Sequence, residues 1–353
     1  MLTLLLSSVL ALAPYGAPEV VFTFADPRIS ESSGLATSSL ADGVVFTHND
    51  SGDEGRFYAV GPAGETLATY TLPGVEPRDW EDMARGPDEQ DRSSLWLGDI
   101  GDNGAKRDGG LLVHRVREPL PGADTTVTTE APTSFRLRYE DGPGDAEALL
   151  VHPRTGRLYV VTKPLGGSAA VYAAPPELDP DGPNALTLVA DVDLDTTGTQ
   201  GGPGIGSLAQ LLVTAGDISP DGSRVALRTY TDLYEWEVEG DDIAGAFDGE
   251  PTVTPLPPTQ QGEGLAYGAD GRTVLLSTEG VASPVHRLTR QAPVPQQGGD
   301  EGGADAPPPA SPDLAAEADG PAAAFGWLVA GGAAMVLAAG VVAVRRATRR
   351  GHR

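Results

Sequence analysis

Between residues 20 and 290, apolar and polar positions alternate in short runs broken by Gly, Pro and Asp, the period of half-buried strands rather than of helices. The runs repeat. Five segments read SGLATSS (33–39), EDMARGP (81–87), EALLVHP (147–153), TAGDISP (214–220) and EGLAYGA (263–269). Each leads through a turn into a second strand: VVFTHND (44–50), SLWLGDI (94–100), RLYVVTK (157–163), RVALRTY (224–230) and TVLLSTE (273–279). A third strand follows in every repeat, and a more variable fourth reads TLATYTLPG (66–74) and SFRLRYEDG (134–142) in the first two. Successive repeats start 48, 66, 67 and 49 residues apart, near the length of a four-stranded propeller blade.

The pattern predicts an all-β chain, a β-propeller of five four-stranded blades. Six remain open if the long third repeat holds an extra blade around Leu186 to Asp195. The last repeat lacks an outer strand, whereas EVVFTF (19–24) precedes the first, and pairing the two closes the ring and hides an edge. Inner strands converge on the axis, so Gly34, Ala36, Ala84, Ala148, Gly264 and Ala266 read as positions where neighbouring blades leave no room for larger side chains.

Both ends depart from the alternation. Residues 1–17 carry an apolar run, LTLLLSSVLALA, ending in a small-x-small triplet, and read as a signal-peptide-like segment. Residues 18–291 form the propeller domain, and residues 292–323, with seven prolines and six acids, form a disordered stalk. Residues 324–344 are uncharged and long enough to span a bilayer, which predicts one transmembrane helix. The basic tail 345–353 then places the C-terminus in the cytoplasm and the propeller outside, as a single-pass plasma-membrane protein.

Composition narrows the chemistry. The absence of cysteine excludes disulfides, thiolate zinc and a cysteine nucleophile. A formal charge of -26 repels phosphate backbones, so nucleic acid is not an expected partner, and the propeller is expected to be monomeric. No G-x-S-x-G, P-loop or H-E-x-x-H occurs.

Two sets of residues carry candidate chemistry. Glu81, Glu147 and Glu263 share one inner-strand position, with Ser33 and Thr214 in the other repeats, which gathers three carboxylates around one axis. Converging acids raise one another's pKa unless a cation compensates, and an oxygen-lined site suits Ca²⁺, with Asp217 and Asp82 as further ligands. Acids hydrated by channel water are the equal alternative. The second set lies where second strands end at one mouth: His48, Asn49, Asp50, Asp99, Asp102, Asn103, Lys163, Arg228 and Glu279. Mixed charge there suggests a polar ligand, although Asn and Asp also cap turns. His114 and His286 sit at matching third-strand positions and read as packing, and Trp80 reads as a wedge between blades.

Three motifs, HNDSGD (48–53), DWEDMA (79–84) and GDIGDN (98–103), resemble those of exported bacterial β-propellers with HNDSGD, DWEDIA and GDIGDN signatures. The resemblance covers about residues 29 to 290 and implies fold and export rather than a reaction. A weaker similarity links the architecture to phytase-like and esterase-like propellers, which hold metals on clustered carboxylates. The expected function is binding of an extracellular ligand or protein at one mouth of the ring. The alternative is a metal-dependent hydrolase of phosphate esters or lactones that uses the axial carboxylates.

Overall fold

The strand alternation becomes five four-stranded antiparallel units. In this computed structural model the described residues are 14–292, apart from 51, 105, 108, 123, 124, 164, 165 and 167. After β1 (Glu19–Thr23), the first unit runs β2 (Ser32–Thr37), β3 (Val45–Asn49), β4 (Arg56–Val60) and β5 (Thr66–Thr71). The second runs β6 (Asp82–Pro87), β7 (Ser93–Asp99) and β8 (Leu111–Arg117), then, past the short β9 (Thr126–Thr128), β10 (Thr133–Tyr139). The third is β11 (Ala146–Val151), β12 (Leu158–Thr162), β13 (Ser168–Ala173) and β14 (Pro183–Asp193). The fourth is β15 (Val213–Ile218), β16 (Arg224–Thr229), β17 (Asp232–Glu237) and β18 (Thr252–Pro255). The fifth joins β19 (Gly262–Tyr267), β20 (Thr273–Thr278) and β21 (Pro284–Thr289) to the N-terminal β1.

The first strands of the units touch in a ring, β2 against β6, β6 against β11, β11 against β15, β15 against β19, and β19 back against β2. This is a propeller-like all-β architecture. Its cores lie between units. Phe46, Phe57, Trp80, Met83 and Leu97 join the first and second; Trp96, Phe135, Leu149 and Val160 the second and third; Leu150, Val161, Leu227 and Trp236 the third and fourth. Burial of this kind stabilises by roughly 25 cal/mol per Å² of apolar surface, so each unit depends on both neighbours. The inner strands leave no space for branching at Gly264, where a Cβ would stand 2.6 Å from the Ser33 carbonyl oxygen of the first unit.

Two pairings are not antiparallel. β9 lies parallel to β5, and β14 lies parallel to β10, so the second and third units share one eight-stranded sheet. The long third repeat therefore spends its extra residues on β14 and the loop beyond it. Residues 186–193 fall inside β14, the outer strand of the third unit.

Ring closure is reinforced beyond β1. Tyr15 bridges Arg290, the Gln291 amide donates to the Pro14 carbonyl at 2.8 Å, and the Tyr15 hydroxyl donates to Glu235 at 2.9 Å. Arg290 also pairs with Glu235, which accepts from the Tyr267 hydroxyl at 2.5 Å.

The placement as a single-pass plasma-membrane protein, with the propeller extracellular and the C-terminus cytoplasmic, is corrected. Among the described residues no helix is long and apolar enough to cross a membrane. The α-helix there, α1 (Ile243–Ala246), has four residues, against about 20 for a crossing. The segments read as signal peptide (to residue 13), stalk (from residue 293), transmembrane helix and basic tail lie outside the described residues.

Candidate functional site

The site is built where inner strands begin and second strands end. In an extended chain residues i and i+2 face the same side, and the second and third units both place an acid two residues before the shared glutamate: Asp79 with Glu81, and Asp145 with Glu147. Oxygens of Glu81, Asp145 and Glu147 lie within 4.8 Å of one another, and so do those of Asp50, Asp79 and Glu81. Glu81 belongs to both groups.

Two of the sequence motifs hold this geometry. The Asp99 carboxylate accepts from the backbone amides of Arg78 (3.2 Å) and Asp79 (2.9 Å), and the Glu81 amide donates to the Gly98 carbonyl at 3.0 Å. Arg107 fastens Asp99 from behind at 2.6 Å, with both side chains buried. Asp102 accepts from the Arg107 amide at 2.7 Å and donates its own amide to Asp145 at 2.7 Å, which carries the lock into the third unit. Gly101 leaves the acids room, since a Cβ there would collide with Glu81 Oε1 and stand 2.7 Å from Asp79 Oδ2. GDIGDN is thus the frame that holds DWED.

The other side of the mouth is cationic. Lys163, at the end of β12, donates to Glu147 Oε1 at 2.9 Å and to the Tyr230 hydroxyl at 3.0 Å, and lies 5.0 Å from the Tyr230 ring centroid. Glu263 is 4% exposed and its Oε2 has no hydrogen-bond partner. Buried Arg228 donates to the Gly264 carbonyl at 2.5 Å and the Ser277 carbonyl at 2.7 Å, fastening β16 to the fifth unit, and its charge is also felt by Glu263.

Electrostatics follow from burial. Burial, then the neighbouring Glu147 charge, pushes Glu81 well above the usual carboxylate range. Glu147 is raised to about 7 by burial, with Lys163 opposing, and Glu263 is raised well above its ordinary value for the same reason. Burial also raises Asp79 and Asp145. For Lys163, burial pulls downward, but the Glu147 and Glu263 charges outweigh it and hold the ammonium well above its ordinary value.

The remaining expected residues divide between site and scaffold. Asp50 joins Asp79 and Glu81, and Glu279 is half-buried, accepting from Gln261 at 3.3 Å. His48 is fully buried, its ring set edge-on to Trp80 at 4.8 Å, and burial lowers its pKa to about 4. Asn49 ties the turn, accepting from the Ser30 and Glu31 amides and donating to the Arg28 carbonyl. Asn103 is exposed. Asp217 accepts from the amides of Ile218 (2.8 Å) and Tyr267 (2.7 Å), and Asp82 from those of Met83, Leu149 and Gly216. Both act as staples between inner strands, away from the mouth acids. Asp79, Asp145 and Tyr230 were not singled out from sequence. The first two carry a signal, the D-x-E spacing shared by two repeats; Tyr230 carries none.

No protein-family model matches the chain, and no curated protein does either. A solved Xanthomonas campestris protein, described as a gluconolactonase important in glucose secondary metabolic pathways, is 12% identical with a TM-score of 0.41, over 79% of this chain and 96% of its own. At that distance the likeness carries no argument about chemistry.

Proposed function

We infer that the chain is a five-bladed propeller closed by its N-terminal strand, and that the mouth formed by Glu81, Glu147, Asp79, Asp145 and Asp50 binds a hard divalent cation, with Ca²⁺ the first candidate, and through it a small polar ligand. The observation that carries this reading is the pair of carboxylate triads that share Glu81. Oxygens on one Ca²⁺ stand at most about 5 Å apart, because each lies about 2.4 Å from the ion, and the oxygens of each triad lie inside that limit. The donors are all oxygen, the set this ion prefers. The unpartnered Glu263 Oε2 and the space kept by Gly101 further support it.

A second reading, metal-assisted hydrolysis of a lactone or phosphate ester, is favoured by Asp79. It is half-buried, its proton affinity is raised by burial, and it stands beside the shared glutamate, where a general base would take a proton from water.

Thermal unfolding with Ca²⁺ and with chelator tests the first reading. Ca²⁺ at a hundredfold excess over its Kd should stabilise by about 2.7 kcal/mol, and chelator should reverse the shift. A melting point indifferent to both overturns it. Hydrolysis of a lactone or phosphate-ester panel, lost with chelator and with Asp79→Asn, would favour the second reading.

A further inference from the structure

The chain holds 24 Lys and Arg residues, yet only Lys106 and Lys163 are lysines. One of the two stands in the mouth, where it faces Glu147 and Tyr230. A lysine ammonium is a compact, strongly hydrated point charge, whereas guanidinium is a planar fork. Of the two, ammonium is the closer mimic of a small metal ion. Lys163 Nζ is 2.9 Å from Glu147 Oε1, an oxygen of a carboxylate that also belongs to the Glu81–Asp145–Glu147 triad. Its charge is also felt by Glu263, whose buried Oε2 lacks a partner. The internal ammonium therefore stands where an external cation would claim a ligand.

Resting on the cation reading of this mouth, we propose that Lys163 is its specificity-determining residue, a tethered counter-ion that excludes monovalent cations and yields Glu147 only to a divalent one. The argument is competition. A monovalent ion brings one charge to Glu147, no more than the ammonium already there, and arrives from solution, while Lys163 is held in place by its own chain. A divalent ion brings two charges and gathers several carboxylates at once, so it gains direct contact with Glu81 and Asp145, on which the ammonium acts only through its field. The displaced ammonium is not stranded. The Tyr230 hydroxyl at 3.0 Å and the ring face at 5.0 Å remain as partners, and from there its charge points at whatever polar ligand the ion receives.

The test compares wild type, Lys163→Met and Lys163→Arg by calorimetric titration with CaCl2 and by melting in NaCl against choline chloride at equal ionic strength. Lys163→Met should bind Ca²⁺ at least tenfold more tightly than wild type and should gain a melting response to Na⁺ that wild type lacks. Lys163→Arg, which keeps the charge, should stay indifferent to Na⁺. If Lys163→Met binds Ca²⁺ no tighter, or stays blind to Na⁺, while wild type responds to Ca²⁺, Lys163 has no such role and the cation site stands. If wild type ignores Ca²⁺ but Lys163→Met binds it, Lys163 does not yield Glu147 to a divalent ion, and both the proposal and the reading of a Ca²⁺-loaded wild-type mouth fall. Silence in all three overturns both. Should Lys163→Met fail to fold, the wild type answers alone through ¹⁵N-lysine spectra, which contain two side-chain signals. The Lys163 ammonium signal should shift with Ca²⁺ and not with Na⁺, and a signal that ignores Ca²⁺ while the melting point responds overturns the proposal.

Discussion

Two neighbouring residues on the second inner segment, Glu81 and Asp82, show how one carboxylate becomes scaffold and the next becomes site. Asp82 is fully buried and accepts three backbone amides, from Met83 (2.8 Å), Leu149 (2.9 Å) and Gly216 (3.2 Å), so it joins the second, third and fourth units. Its acceptor capacity is spent on the chain. Glu81 is nearly as buried, but it faces other acids, Asp50, Asp79, Asp145 and Glu147. Burial raises both pKa values well above normal. A perturbed pKa therefore does not separate the two. The identity of the donors does, because a carboxylate supplied with amides is a structural part, whereas one surrounded by carboxylates either keeps its proton or takes a cation.

The largest expected effect breaks the scaffold side. Asp82→Ala leaves three buried amides without an acceptor and should cost roughly 3 kcal/mol in urea unfolding. A loss under about 1 kcal/mol would remove the distinction drawn here. The site side should show a smaller, pH-dependent effect. Glu147 has a folded pKa of about 7 against an ordinary 4.5, so the folded state binds more protons between those values. Its contribution is complete below about pH 4.5 and is lost as pH rises to about 7. Buried His48, lowered to about 4, works in the opposite direction, since its contribution is lost as pH falls from 6.5. The difference between wild type and Glu147→Gln reads the carboxyl together with its effect on Glu81 and Lys163, and across that window it should move in the variant's favour by roughly 2 kcal/mol. A flat difference would mean Glu147 is ionised throughout.

Glu81→Gln sharpens the comparison next. Because Glu81 belongs to both triads, it should weaken Ca²⁺ binding at least tenfold, about 1.4 kcal/mol, and by more than Asp145→Asn or Asp50→Asn. Equal losses at all three positions would argue that Glu81 is not shared. The smallest effect is expected at Gly101→Ala, whose added methyl pushes on Glu81 and Asp79. It should reduce Ca²⁺ affinity severalfold while moving the melting point by only a few degrees, about 1 kcal/mol. An unchanged affinity would show that the acids tolerate displacement.

Much of the ring was legible because its inner strands are self-similar: the five aligned segments are β2, β6, β11, β15 and β19 within a residue or so, and EVVFTF pairs with β21. The parallel joins, β9 to β5 and β14 to β10, were not, since they link outer strands that share no repeat signature. At the site, Glu81, Glu147 and Lys163 could be placed from repeat position alone. Asp217 reads as a ligand in the alignment, which shows which residues are equivalent along a strand but not that the Ile218 and Tyr267 amides already donate to its carboxylate. Arg228 sat at a mouth position for the same reason, yet its guanidinium turns to the Gly264 and Ser277 carbonyls. Asp79 and Asp145 lay one step outside the aligned strands, where the D-x-E spacing would have found them.

The Tyr15–Arg290 bridge brings two residues far apart in the sequence to one spot on the rim, held through Glu235. A short peptide could therefore join these strands directly, and the backbone could be reopened at an exposed turn such as Asp42–Gly43 without removing any sheet partner. Such a circular permutant would carry β1 and β21 as one continuous hairpin. Its closure would then be a local event in folding rather than the meeting of two distant ends, and the time taken to shut the ring should shorten accordingly.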